Sequence, residues 1–270
     1  MTTTPVGMRC PECSKQSTKV MRMREMTKAP QVTYALITIN VIAFLAEGLV
    51  KGGRLTFAGS VGGGSVYDKG TLLGSSAVPS FTGEGVAHGQ WWRIVTGGFL
   101  HENVLHIGFN MYVLYVLGMM LEPALGRIKF GVIYAVALLT GSLGALLVTA
   151  NSPIVGASGA VFGLMGAAAV EMRARQIPLM QSGVGGLILI NLIISFSIPG
   201  ISWGGHIGGL IGGALTASVI RLGDRHRAQA LALAGCALIA AASVSGAVAA
   251  AKSSEVQPGE SNPVGIVGPP

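Results

Sequence analysis

The stretch "WGGHIGGLIGGAL", residues 203–215, carries six glycines in two rows: Gly204, Gly208 and Gly212, and Gly205, Gly209 and Gly213. Residues four apart share one face of a helix, so each row is a smooth stripe against which a second helix can pack closely. Such small-residue stripes are how helices associate between lipid tails, where apolar side chains gain nothing by leaving their surroundings. One ionisable side chain, His206, stands inside the segment. A histidine within a membrane span is costly to place and marks a candidate functional site, the plainer alternative being a bond to a neighbouring backbone carbonyl.

The rest of the chain has the same solvent. Half of its 270 residues are hydrophobic, 11% are charged, and the mean hydropathy is +0.62. A soluble chain carries about a quarter charged residues, so the bilayer must solvate most of this one. Seven apolar segments are legible, at 33–50, 104–121, 130–150, 157–171, 183–199, 203–220 and 228–251. None alternates like a barrel strand. The fold class is therefore all-α, a polytopic transmembrane helical bundle. Residues 1–32 show no basic region leading to a cleavage site, so no removable signal peptide is expected.

Seven spans divide the basic residues unevenly. With the N-terminus inside, thirteen of the 18 Lys and Arg residues fall on the inner side; the outer five are Lys51, Arg54, Lys69, Arg93 and Lys252. The N-terminus is expected in the cytoplasm and the C-terminus outside. The net charge of +7 is thereby topological, and no basic stripe interleaved with aromatics suggests nucleic acid.

Residues 51–103 form a long outer loop, Gly-rich and mobile in its early part ("SVGGGS", 60–65), with Trp91, Trp92 and Arg93 suited to the headgroup level. Residues 252–270, rich in Pro, Gly and Ser, read as a disordered tail. Near the N-terminus Cys10 and Cys13 make half of a zinc ribbon, and neither a second pair nor a nearby histidine completes four ligands. No cofactor and no metal are expected, Cys10 and Cys13 being the one partial site. They are a remnant, or are completed by another chain, or belong to a protein that starts upstream. Cys236 reads as a small packing residue.

The polar residues inside the spans gather at one depth. Spans two, four and six start at the outer face, and in their first turns stand His106 and Asn110, then Ser158, then His206. The stretch "GASGAVFG", 156–163, repeats the four-residue glycine interval at Gly159 and Gly163, so spans four and six can meet with Ser158 and His206 at the top of the contact. A serine needs a general base to act as a nucleophile, and His206 is the candidate. Asp68 and Asp224 lie in the outer loop and on the inner side, Glu122 and Glu171 on the inner side, and Glu102 at the outer boundary. A Ser–His dyad is therefore more economical than a triad. Phe162, one turn below Ser158, is placed to stack on the imidazole. His106 and Asn110, four apart on one face, and the unpaired backbone N–H groups at the start of span four would supply donors to a developing oxyanion.

Taken together, "HENVLHIGFN" (101–110), "GASGAVFG", "GGHIGGLIGG" (204–213) and Trp92-Arg93 resemble the rhomboid intramembrane serine proteases. The resemblance covers residues 30–222, with the motifs in the family's order. It implies a rhomboid-like six-helix core over 33–222, to which 223–251 add a seventh C-terminal helix. It assigns Ser158 as nucleophile, His206 as base, and His106 with Asn110 as oxyanion donors, with Gly156 and Phe162 as site support. The chain departs from the family at Ala124, where relatives often carry Arg, and at Phe162, where many carry Tyr. "MRCPEC" (8–13) is similar to the last part of a cysteine-rich zinc module found ahead of some bacterial relatives. The implied partners are the lipid bilayer and transmembrane protein substrates, cleaved near their outer ends after local unwinding at weak helix formers. The implied location is the cell membrane of a bacterium, which the high Ala and Gly content also suggests.

Two other classes make contrary demands. A catalytically inactive rhomboid-like protein that binds membrane clients would lack the serine or the histidine, and both are present. A small-solute transporter would carry polar groups near the bilayer centre and similar halves. Here the polar groups crowd one face.

Overall fold

The computed structural model describes residues 2–4, 7–9, 29–49, 65–75 and 83–254. Among them, seven helices of 14 residues or more form one bundle: α1 (Gln31–Leu49), α4 (Val104–Leu125), α5 (Arg127–Thr149), α6 (Ser158–Ala174), α7 (Val184–Ser197), α8 (Trp203–Arg225) and α9 (Gln229–Ser253). Two short helices, α2 (Ser65–Gly70) and α3 (Arg93–Thr96), lie between α1 and α4. Ahead of the bundle β1 (Thr2–Thr4) pairs antiparallel with β2 (Gly7–Arg9). The protein is an all-α polytopic bundle and integral to the membrane. Cys10, Cys13, residues 51–64 and residues 255–270 lie outside the described residues. α9 runs through Ser253, so residues 252 and 253, expected in the tail, are helical.

Among the described residues, four helices are long and apolar enough to cross a membrane: α1, α4, α5 and α9. The apolar α7 is shorter, and α6 and α8 fall outside the four. The reason lies in their place. α6 is enclosed on nearly all sides, burying eleven of its 17 residues, and α8 turns its glycines to its neighbours. Central helices are chosen for close approach, so Gly and Ala replace the large apolar side chains that lipid-facing helices carry.

The two glycine rows of α8 divide between two neighbours. A side chain at Gly209 would run into the backbone oxygen of Gly159, and one at Gly213 into that of Gly163, so these two glycines of the row lie directly against α6, while Gly205 at its start faces Ala145 and Gly141 of α5. The second row faces α5: Gly204 and Gly208 meet Gly144, and Gly212 meets Thr140. Sequence spacing anticipated the α6 contact but not the use of the other row by α5. Large side chains fill the remaining interior, among them Phe130, Ile133, Leu164 and Met165, all fully buried.

Helix ends are set by local chemistry. Asn103 Oδ1 accepts from His106 N–H at 2.8 Å and starts α4; Ser202 Oγ accepts from Gly205 N–H at 3.2 Å and starts α8. α4 and α5 are joined by Gly126 alone, whose φ of +85° turns the chain at once. Near the end of α4 Glu122 accepts from the N–H groups of Val32 (2.9 Å) and Thr33 (2.8 Å) and from Thr33 Oγ (2.7 Å), closing the start of α1. With Ala124 two residues on, that carboxylate ties two helices together.

The loop between α1 and α4 is folded wherever it is described. Arg93 is not at a headgroup surface. Its side chain is fully buried, donating to Gln90 Oε1 (2.6 Å), Asp68 O (2.7 Å) and Thr71 O (2.9 Å) and pairing with Glu84. Burial pulls this guanidinium down from its usual value, and Glu84 acts against that. Trp91 and Trp92 do remain exposed. Asp68 belongs to α2, so its part of the loop is a structured one. Leu72 exchanges two backbone hydrogen bonds of 2.9 Å with Ile154, and Gly156 N–H donates to Gly97 O at 2.9 Å. The loop thereby grips the segment that leads into Ser158.

Candidate active site

Ser158 opens α6 and His206 lies in the first turn of α8. Because the α6 and α8 backbones touch through glycine, their first turns are brought within side-chain reach. His206 Nε2 is 2.6 Å from Ser158 Oγ. The Phe162 ring stacks on the imidazole, centroids 4.2 Å apart and planes 12° from parallel. His206 is buried, as is Phe162.

His106 and Asn110 approach from α4. Asn110 Nδ2 donates to His106 O at 3.0 Å, one turn back, which occupies one amide hydrogen and leaves the other. The His106 ring lies over Gly156: a Cβ there would sit 2.8 Å from Nε2 and 3.6 Å from Ser158 Oγ. Gly156 also holds φ at +125°, where a side chain is strained. Small residues in this stretch thus clear room for a second histidine beside the serine. All six candidate residues, Ser158, His206, His106, Asn110, Gly156 and Phe162, line one cavity of about 600 Å³. Its walls are mostly apolar, and include Leu105 and Phe109 of α4, Ile194 of α7 and Ile198 just after it.

The first N–H groups of α6 have no intrahelical acceptor. Unlike α4 and α8, α6 begins at Ala157 with no side-chain cap. Its positive dipole end is therefore open to whatever occupies the cavity.

Three polar residues that the sequence reading left out of the site also bear on it. His101 is fully buried just before α4; its Nε2 accepts from Ala157 N–H at 3.5 Å, and its ring stands edge-on to His106 with centroids 5.1 Å apart. Glu47 of α1 accepts from His101 N–H at 3.3 Å. Ser195 of α7 places Oγ 2.6 Å from His206 Nδ1. Asn191 and Ser195 are four apart in a largely apolar span, the same polar-in-apolar signal that singled out the histidines. Among the described residues no group of three His, Cys, Asp or Glu side chains is placed to hold a metal ion.

Residues 88–222 match the family model described as the rhomboid domain. The chain is 33% identical over 196 residues to the rhomboid protease GluP of Bacillus subtilis (strain 168), covering 72% of this chain and 35% of GluP. It is 33% identical over 135 residues to YdcA of the same organism, covering 48% of this chain and 68% of YdcA. To the mitochondrial RHOMBOID-like protein 6 of Arabidopsis thaliana it is 34% identical over 127 residues, 45% of this chain and 41% of that protein. The chain spans about a third of GluP and two fifths of the Arabidopsis protein, but two thirds of YdcA. With a domain match over half its length and a 33% identical relative spanned over two thirds, the chain belongs to the rhomboid family.

Proposed function

We propose that this protein is an intramembrane serine endopeptidase that cleaves transmembrane segments of other membrane proteins near their outer ends. The 2.6 Å approach of His206 Nε2 to Ser158 Oγ, inside a cavity walled by spans, is the observation that carries this reading. Family membership and protease-named relatives support it.

In the proposed reaction His206 Nε2 takes the hydroxyl proton as Ser158 Oγ adds to the scissile carbonyl carbon. The carbonyl oxygen becomes an oxyanion, met by Ser158 N–H at the uncapped start of α6, the free Asn110 amide hydrogen and the His106 ring. Collapse expels the amine, which leaves with the proton from Nε2. Water, deprotonated by the same nitrogen, then adds to the acyl carbon; the bond to Ser158 Oγ breaks, Oγ takes the proton back from Nε2, and the acid product leaves. Phe162 keeps the ring plane fixed throughout. The substrate helix enters laterally between α4 and α7, both of which bring apolar side chains to the cavity lining, and small residues suit the crowded floor around Gly156.

The test is cleavage in proteoliposomes of single-span proteins carrying Gly, Ala or Pro near the outer end, with products identified by mass spectrometry. Cleavage by the wild type and none by Ser158→Ala is the expected result. A folded wild type that binds such segments without cutting any would instead describe an inactive client-binding member of the family.

A further inference from the structure

The reaction above leaves Ser195 without a role, although it is buried and sits against the catalytic base. Its Oγ is 2.6 Å from His206 Nδ1 and 2.6 Å from the Asn191 carbonyl oxygen, one turn back on α7. A serine hydroxyl has one proton to donate and lone pairs with which to accept. The carbonyl only accepts, so the Ser195 proton is committed to Asn191. Toward His206 the Ser195 oxygen is then an acceptor. The imidazole proton therefore stands on Nδ1, and Nε2 presents a bare lone pair to Ser158.

Phe162 does not make this choice. Stacking holds the plane of the ring, but a half-turn about the Cβ–Cγ bond keeps the plane and exchanges nitrogen edges for carbon edges. Only a polar partner distinguishes those two states. We propose that Ser195 is a positioning residue that holds His206 in the Nδ1–H tautomer and in the ring orientation able to deprotonate Ser158. The proposal rests on the peptidase reading for its consequence, but not for its geometry.

The chain of donors is then continuous: Ser158 Oγ–H to His206 Nε2, His206 Nδ1–H to Ser195 Oγ, Ser195 Oγ–H to Asn191 O. When His206 takes the Ser158 proton it becomes an imidazolium that still donates from Nδ1. No proton passes to Ser195. A neutral hydroxyl thus orients the base, a task that a carboxylate performs in a Ser–His–Asp triad. Because Ser195 stands on α7, the base is held from a helix other than the two that supply the dyad.

The test compares wild type with Ser195→Ala, Ser195→Thr and Ser195→Val in detergent. Two readouts are taken: the rate of Ser158 labelling by a fluorophosphonate, and the ¹⁵N shifts of the His206 ring, assigned by difference from His206→Ala. Thr and Val are close in shape and differ in the hydroxyl, so they decide the matter even if the alanine variant folds poorly. We expect Ala and Val to slow labelling about 10- to 100-fold, as for one buried hydrogen bond whose loss leaves a donor unpaired. Thr should stay within about 3-fold of wild type on the same reasoning, since it keeps that hydrogen bond. The ¹⁵N shifts should show the proton on Nδ1 in wild type and Thr, and lost from that site or shared with Nε2 in Ala and Val. Wild-type labelling and an unchanged tautomer in Val would overturn the proposal. If wild-type Ser158 takes no label at all, the peptidase reading fails, and the ¹⁵N shifts alone still decide what Ser195 does.

Discussion

Gly156 and His106 share one space: a methyl group on residue 156 would lie 2.8 Å from His106 Nε2. The glycine is needed twice over, for that room and for its φ of +125°. Gly156→Ala should cut Ser158 labelling by about 100-fold or more, on the scale of losing an oxyanion donor. Gly183→Ala is the control. Gly183 also has a positive φ, +77°, but nothing within 4 Å of its missing side chain. It should share the backbone strain, about 1–2 kcal/mol, and keep its activity. Equal activity loss in the two variants would mean that strain, and not the His106 position, is what matters at 156.

The α6–α8 contact yields an opposed pair. Gly209→Ala drives a methyl into the Gly159 backbone and should destabilise by about 1–3 kcal/mol. Gly186→Ala, in α7 with open space around it, should be neutral or stabilising by up to about 1 kcal/mol. Thermal unfolding in detergent measures both, and a similar response of the two would contradict direct backbone contact.

Arg93 is the hub of the loop between α1 and α4, with a guanidinium shared among four acceptors. Removing it by Arg93→Ala strands Glu84 and two carbonyls and should cost about 3–5 kcal/mol. Glu84→Gln should cost about 1 kcal/mol or less, because Glu84 is partly exposed. Since the loop grips the segment before Ser158 through Ile154 and Gly156, labelling should fall with Arg93→Ala. Unfolding midpoints and labelling rates check both halves.

Lateral entry between α4 and α7 separates two kinds of ligand. A disulfide or chemical crosslink joining these helices across the cavity mouth should block cleavage of a membrane-embedded substrate and spare labelling by a small fluorophosphonate. Unchanged cleavage after complete crosslinking would rule out that route.

Legibility in the sequence followed the range of the physics. The seven helices rest on apolar runs, a local property, and appear where those runs lie. The α6–α8 contact rests on a four-residue glycine interval in each partner, which is also visible in one dimension. Arg93 was misplaced because an arginine beside two tryptophans looks the same whether it meets headgroups or backbone carbonyls. Its acceptors, Asp68, Thr71, Glu84 and Gln90, become neighbours only once the loop has folded. Ser195 escaped notice for a similar reason: a serine in a span usually bonds its own helix, as Ser195 does with Asn191. Its second partner comes from α8, beyond the reach of any periodicity.

The most direct measurement is fluorophosphonate labelling of the detergent-solubilised protein, comparing wild type with Ser158→Ala and His206→Ala. An activated Ser158 predicts label on the wild type at that residue, none on Ser158→Ala, and a rate at least about 100-fold lower on His206→Ala, the usual scale of general-base catalysis. A folded wild type that takes no label, even from a probe small enough to pass a closed α4–α7 gap, would contradict it.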